Sequence, residues 1–220
     1  MNGNVPISIT ISKQIGSEGS LLGKKLAKNL NFLYFDSDII RETAKKLRTH
    51  EKNVELFDER IVSIWKNIYK TYNLNKYYTY SHLESYFPSD NEVFKVQSEI
   101  IQSISKKQSV IVMGRASFYI LRNYQNHVSI FVHSSYPSRV KKVQQYYNIS
   151  ESKAKKLIWI NDKKQSNYIK YHTKEDIYDL HNYDLCINTE SIGIDNAKEV
   201  IISYLKKRFQ KKIIPFRYKK

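Results

Sequence analysis

Cysteine is almost missing from this chain. Of 220 residues only Cys186 carries a thiol, so no intrachain disulfide can form and a reducing, cytoplasmic setting is the expectation. No uninterrupted apolar stretch is long enough to cross a bilayer. Residues Met1 to Pro6 lack the basic segment and apolar run of a secretory leader, and no internal repeat is visible. Hydrophobic residues nevertheless make up 41% of the chain, which excludes wholesale disorder and allows a packed interior. The length suits one compact domain, alone or with a helical insert. Acidic residues are the remaining shortage: 37 Lys and Arg stand against 21 Asp and Glu, a net charge of +16. That balance favours polyanionic partners: nucleotides, nucleic acid or an anionic membrane surface. Lysines scattered over solvated helix faces, in a chain rich in Lys, Asn, Ile and Tyr, would give the same charge with no partner.

Ile7, Ile9 and Ile11 alternate with Ser8, Thr10 and Ser12, a β-branched pattern of period two that reads as a strand. The glycine-bearing turn Gly16-Ser17-Glu18-Gly19-Ser20 follows, and then Leu21, Leu22, Leu26 and Leu30 recur at helical spacing. Phe32 to Phe35 is a short aromatic strand ending at Asp36. Between about 37 and 90 the chain is mostly helical in period and dense in Tyr and Lys, which reads as an insert on the core. Phe94, Ile100, Ile101 and Ile104 form one helical stripe within Asn91 to Lys107. Val110 to Met113 is a continuous apolar run of the kind that suits a strand buried on both faces. Gly114-Arg115 lies directly at its end. Val128 to Val132 is the next strand, and Pro137 opens a helix with Arg139 in its first turn. Ser150 is placed to cap a further helix. Asp184 to Ile187 is a last strand, Gly193 ends its loop, and Ile194 to Leu205 reads as a closing helix. Residues 206–220 form a strongly basic tail with an expected weak affinity for polyanions.

Strands separated by helices imply parallel βαβ units in one covered sheet, and ligands of such sheets bind beyond the carboxyl ends of the strands. Five loops converge there: Gly16 to Ser20, Asp36, Gly114-Arg115, Ser134-Ser135 and Asn188 to Gly193. A loop that cradles phosphate needs small residues, so that N–H groups point inward, and a helix N-terminus behind it. Gly16, Ser17, Gly19 and Ser20 meet that need. The pattern G-x-x-x-x-G-K-[ST] is absent. Gly19-Ser20-Leu21-Leu22-Gly23-Lys24 is one residue short of it, with Lys25 where Ser or Thr belongs, and Lys24 reads as a helix-surface lysine.

The motifs taken in order resemble the cytidylate kinase-like family. Ile9-Thr10-Ile11-Ser12-Lys13-Gln14-Ile15-Gly16-Ser17-Glu18-Gly19-Ser20 is similar to that family's opening "ITISR-x-x-GSGG-R". Phe35-Asp36 matches its "YD", Gln97 to Ile101 its "QSEII", and Val110 to Arg115 its "VIVGR". Ile149-Ser150-Glu151 with Ala154, Lys155 and Leu157 resembles its "ISEEEAKKLI", Tyr168 to Thr173 its "YYKYYTG", and Asn182 to Thr189 with Gly193 to Asp195 its "NYDLCINT…LGID". The resemblance covers the chain except the stretch around Glu51 to Pro88 and the tail.

What the resemblance implies is an α/β fold of the P-loop NTPase type. This is a three-layer sandwich on a parallel five-stranded sheet, one domain over 1–205 with a lid at about 137–180. The implied activity is ATP-dependent phosphoryl transfer, with Mg²⁺, to a nucleoside monophosphate, cytidylate first. Such transfer needs charge neutralisation and alignment more than a nucleophile. The implied catalytic cations are Arg115, clamping the acceptor phosphate with its planar fork, Arg139, reaching the donor, and Lys13. Asp36 is placed for the acceptor nucleoside or Mg²⁺-bound water, and Asn188 and Thr189 for the donor base. Asp162, Gln165 and Tyr168 belong to the lid. On residue type alone Asp36 also suits a helix cap, and Arg139 a pair with a neighbouring carboxylate.

This chain departs from the family pattern at several places. Glu18 and Ser20 replace a glycine and an arginine, Lys13 an arginine, Phe118 an aspartate, Gln165 the lid arginine and His172 a tyrosine. A single transition-state arginine is worth about 10³ or more in rate, so the substitutions keep a second reading open. It is a catalytically weak nucleotide-binding relative that serves as a regulatory or interaction module. A third, resting on charge alone, is a nucleic-acid or membrane-surface binder.

Overall fold

The computed structural model describes residues 5–36, 38–52, 54 and 89–209. Most of the expected 37–90 insert, and residues 210–220 of the expected tail, lie outside the described residues. Strands β1 (Ser8–Lys13), β2 (Leu33–Phe35), β3 (Val110–Met113), β4 (His127–His133) and β5 (Leu185–Asn188) form one sheet in the order β2-β3-β1-β4-β5. Every pairing is parallel, with Ile9 opposite both Ile111 and Val128. The five strands read from the sequence are therefore the five of the sheet, shifted by a residue or two at their ends.

Alternation decides the layers. Ile7, Ile9 and Ile11 of β1, with Ile111 and Met113 of β3, face helix α1 (Gly19–Leu30) through Leu22 and Leu26. They also meet helix α7 (Thr189–Arg208) through Ala197, Ile201 and Leu205. Val110 and Val112, on the opposite face of β3, pack with Ile39 of α2 (Asp38–Lys46), Ile100 and Ile101 of α3 (Asp90–Lys107), and Leu121. The apolar run of β3 is thus divided between two cores. Completely burying one such side chain contributes about 1.5–3 kcal/mol, and Ile9, Ile11, Ile111 and Met113 are all fully buried. Thr10 points away from α1 and stays satisfied, with its hydroxyl 2.8 Å from Nε2 of the buried His127.

Helix α3 starts in a capping box. Ser89 Oγ accepts from the Glu92 N–H while the Glu92 carboxylate accepts from the Ser89 N–H. A single-turn helix α4 (Ser117–Ile120) follows β3. Helices α5 (Tyr136–Tyr147) and α6 (Glu151–Thr173) pack together through Val140, Val143, Ala154, Leu157 and Ile158. Ser150 stands at the N-cap of α6, but its side chain makes no capping bond. The closing helix is longer than its apolar pattern suggested, running from Thr189 through Arg208 across a break at Gly193, where φ is 72° and ψ 164°. That backbone conformation is essentially restricted to glycine. The basic tail accordingly does not begin at Lys206. Leu205 and Phe209 lie one helical turn apart and both enter the main core, and Arg208 pairs with Asp184.

Candidate functional site

In the strand order, β1 connects outward past β3 while β3 connects back across β1. The reversal point of the sheet therefore lies above their carboxyl ends. The loop after β1 and the Gly114-Arg115 turn after β3 meet there. The first loop is tightly closed. Ser17 donates its N–H and its hydroxyl to the Gln14 carbonyl, at 3.2 and 2.7 Å. The Ser17 carbonyl accepts from Thr189 Oγ1 at 2.8 Å, and that hydroxyl also lies 3.2 Å from the His133 carbonyl. Thr189, expected near a donor base, therefore ties the back of the loop to the end of β4. Asn188 caps α7, its Oδ1 accepting from the Glu190 N–H at 3.1 Å.

Gly16 has φ 81°, and a Cβ there would stand 2.8 Å from the Arg139 carbonyl oxygen. The loop thus rests directly on the first turn of α5, and only glycine satisfies both the conformation and the contact. Glu18, in place of the family's glycine, keeps a glycine-like conformation at φ 58°. Its carboxylate is paired with Lys142 Nζ at 2.9 Å, so the charge it brings to the loop is met by a cation. Lys142 lies three residues after Arg139 on the same helix face, a spacing that would have pointed to it.

Arg139 was expected to reach the donor nucleotide. Its guanidinium instead binds both oxygens of Asp162 from α6, at 2.7 and 2.9 Å, and its Nε donates to the Ile15 carbonyl at 2.7 Å. With its side chain 4% exposed, Arg139 braces the glycine loop against α6. Of the other α6 residues, Gln165 is buried and Tyr168 donates to Gln97 Oε1 of α3 at 3.2 Å. His172 stacks on Phe94, with ring centroids 4.3 Å apart, and burial lowers its pKa. Phe118, at the family's aspartate position, packs on Tyr183 in an aromatic cluster with Phe131.

Arg115 sits in a run of three left-handed residues, Gly114, Arg115 and Ala116, with φ of 62°, 55° and 54°. Left-handed backbone costs a non-glycine residue about 1–2 kcal/mol and persists where the surroundings over-determine it. Here the guanidinium is fixed by Asp36 Oδ1 and the Met113 carbonyl, each 3.2 Å from Nη1. Tyr34 completes the group, its hydroxyl donating to Asp36 Oδ2 at 3.1 Å and also bonding Ser20. Burial, followed by the Asp36 charge, pushes the Tyr34 phenol well above its ordinary pKa. Nothing in the sequence singled out Tyr34. Its room comes from Gly23, where a Cβ would lie 2.8 Å from Met113 Sδ and 3.1 Å from the Tyr34 ring. The site thus joins Ser20 of α1, Tyr34 and Asp36 of β2, and Arg115 of β3 in one chain of contacts.

Lys13 ends β1, half-buried, beside Gly19. Lys24 is exposed, with its ammonium 5.9 Å from the centre of the Tyr34 ring. A cavity lined by Tyr119, Arg122, His127, Asp184 and Arg208 opens at the opposite, amino-terminal edge of the sheet and includes none of the expected site residues.

A sequence model of the cytidylate kinase-like family matches residues 8–191. A cytidylate kinase of Sulfurisphaera tokodaii is 25% identical over 198 residues, covering 90% of this chain and 94% of that protein. A cytidylate kinase of Thermoplasma acidophilum is 25% identical over 186 residues, covering 83% of each. Among solved structures, a protein of Eubacterium ventriosum superposes with a TM-score of 0.67 at 21% identity, over 91% of this chain and 98% of its own. A shikimate kinase of Bacteroides thetaiotaomicron superposes at 0.52 with 10% identity, over 91% and 98%. The fold is therefore the kinase-type α/β sandwich expected. Among the described residues no helix is long and apolar enough to cross a membrane.

Proposed function

The chain belongs to the cytidylate kinase-like family, and from that premise we propose that it is an ATP-dependent nucleoside monophosphate kinase with cytidylate as its acceptor. The observation that carries this reading is the Asp36–Arg115 pair, held at the carboxyl ends of neighbouring strands beside the glycine loop. The two relatives named cytidylate kinase support the acceptor. Arg115 holds the acceptor phosphate, and Asp36 keeps the guanidinium turned toward it. The loop amides from Gly16 to Ser20 and the N-terminus of α1 receive the donor phosphates. An oxygen of the acceptor phosphate forms a new bond to the γ-phosphorus as the bridging bond to the β-phosphate breaks, and ADP leaves. No protein nucleophile is needed.

Arg139 and Asp162 act by position, holding the loop that holds the phosphates. Thr189 and Asn188 fix the loop's back wall, and Gln165 and Tyr168 set α6 against α3. Mg²⁺ is usually held by one or two protein oxygens, waters and substrate phosphates. The Ser20 hydroxyl and Asp36 carboxylate, joined through Tyr34, fit such a sparse set. Among the described residues no cluster of three or more His, Cys, Asp or Glu offers a denser one. When bound, Mg²⁺ neutralises charge on the β- and γ-phosphates.

The test is a coupled ADP-release assay over CMP, dCMP, UMP, AMP and GMP, beside calorimetry of nucleotide binding. CMP is expected to give the highest kcat/KM. If no monophosphate raises ADP release above background while ATP still binds, the kinase reading falls.

A further inference from the structure

In the usual strand–loop–helix phosphate site, the cation that reaches the outer phosphates is a lysine at the start of the helix. Here α1 opens Gly19-Ser20-Leu21-Leu22-Gly23, with no cation in its first turn. The next two residues are turned elsewhere: Lys24 is exposed beside the Tyr34 ring and Lys25 is paired with Asp195 at 2.8 Å. The other cations around the loop are engaged as well. Arg115 is held by Asp36, Arg139 by Asp162 and Lys142 by Glu18.

Lys13 is different. As the last residue of β1 it continues the face of Ile9 and Ile11, which pack on Leu22 and Leu26 of α1. Strand alternation therefore delivers its side chain onto the start of that helix. The contact is direct: a Cβ on Gly19 would stand 2.7 Å from Lys13 Cβ and 3.1 Å from Lys13 Cδ. Gly19 is helical and does not have the positive φ of Gly16, so its backbone does not demand glycine. Glycine in a helix costs about 1 kcal/mol against alanine. What it supplies here is the gap in which the lysine stem lies. Among the described residues Lys13 makes no ion pair.

We propose that Lys13 is the donor-phosphate cation of this site, carried by the strand instead of the helix, and that Gly19 is the gap that admits it. The proposal rests on the kinase reading above. It assigns the outer phosphates of the donor to an ammonium entering from β1, with the helix supplying backbone N–H groups alone.

The test is calorimetry of the full chain with Mg-ATP and, separately, with inorganic tripolyphosphate. Lys13→Met keeps the apolar stem and removes the charge. A charge-assisted hydrogen bond is of the size that weakens binding about 10- to 100-fold when lost, and both ligands should weaken by that factor. Lys13→Arg should keep most of the affinity. Gly19→Ala leaves the ammonium intact but displaces its stem, and should weaken both ligands too. Melting temperatures of the variants, read by circular dichroism, should stay near that of the parent protein, which separates lost binding from lost fold. Undiminished binding of both ligands by Lys13→Met overturns the proposal while leaving the kinase reading standing. Undiminished binding by Gly19→Ala overturns the role of the gap. A parent protein that binds neither ligand overturns both the proposal and the kinase reading.

Discussion

Replacing Asp162 with alanine should destabilise the protein far more than a surface substitution does. Its carboxylate receives two bonds from Arg139, whose side chain is 4% exposed, while Asp162 itself is 22% exposed. Breaking a buried pair by removing one partner costs about 3–5 kcal/mol, because the surviving charge is left desolvated. The partial exposure of Asp162 lets water in and lowers that to about 2–4 kcal/mol. For a chain of this size each kcal/mol moves the midpoint by about 2–4 °C, so Asp162→Ala should melt roughly 4–16 °C lower. The loop should suffer with it, since Arg139 Nε also holds the Ile15 carbonyl, and ATP affinity should fall. Thermal unfolding by circular dichroism of Asp162→Ala, Arg139→Met and the double variant Arg139→Met/Asp162→Leu forms a double-mutant cycle. The double variant should recover much of the lost stability, because an apolar pair of similar volume carries no stranded charge. A midpoint for Asp162→Ala within about 2 °C of the parent protein would show that the brace holds nothing.

Three further outcomes follow from the same contacts. His127 is buried against Thr10, and desolvation lowers its pKa from 6.5 to about 4, against the opposing pull of Asp184 and with Arg208 adding to the shift. The unfolded chain therefore takes up this proton first. The contribution, about 3 kcal/mol, is whole above pH 6.5 and is lost as pH falls toward 4. Melting curves between those limits should be steeper in pH for the parent protein than for His127→Gln, and equal slopes would assign the loss to other groups. Gly16→Ala meets a positive φ and the Arg139 carbonyl together, so the loop must shift. Calorimetry should show ATP binding weakened by about tenfold or more, and unchanged affinity would mean that the loop does not touch the donor. Glu18→Gly relieves a left-handed residue, by about 1 kcal/mol, but loses the pair with Lys142, worth about 0–1 kcal/mol. The midpoint should move by only a few degrees, and a large gain in ATP affinity would mean that Lys142 does not compensate the Glu18 charge.

The sequence by itself determined the fold. Ile7, Ile9 and Ile11 alternate, Val110 to Met113 run unbroken, and helices of period 3.6 stand between the strands. Those periods follow from backbone geometry a few residues long and need no knowledge of the partner. The sheet of five parallel strands, and the gathering of Gly16 to Ser20, Asp36 and Arg115 at one edge, follow from them. The closing helix outran its apolar pattern because Phe209, one turn beyond Leu205, found a place in a core built from distant strands. Only the tertiary structure decided which charges are committed. Arg139 and Lys13 were equivalent candidates as residue types. The first is closed by an aspartate 23 positions away and a carbonyl 124 positions away. The second is laid across a glycine by the pleat of its strand. Tyr34 joined the site because Gly23 made room for its ring, and Thr189 reached the loop from 172 residues away. An ion pair or a hydrogen bond depends on separations of an ångström between atoms far apart in the chain, and packing alone sets those separations.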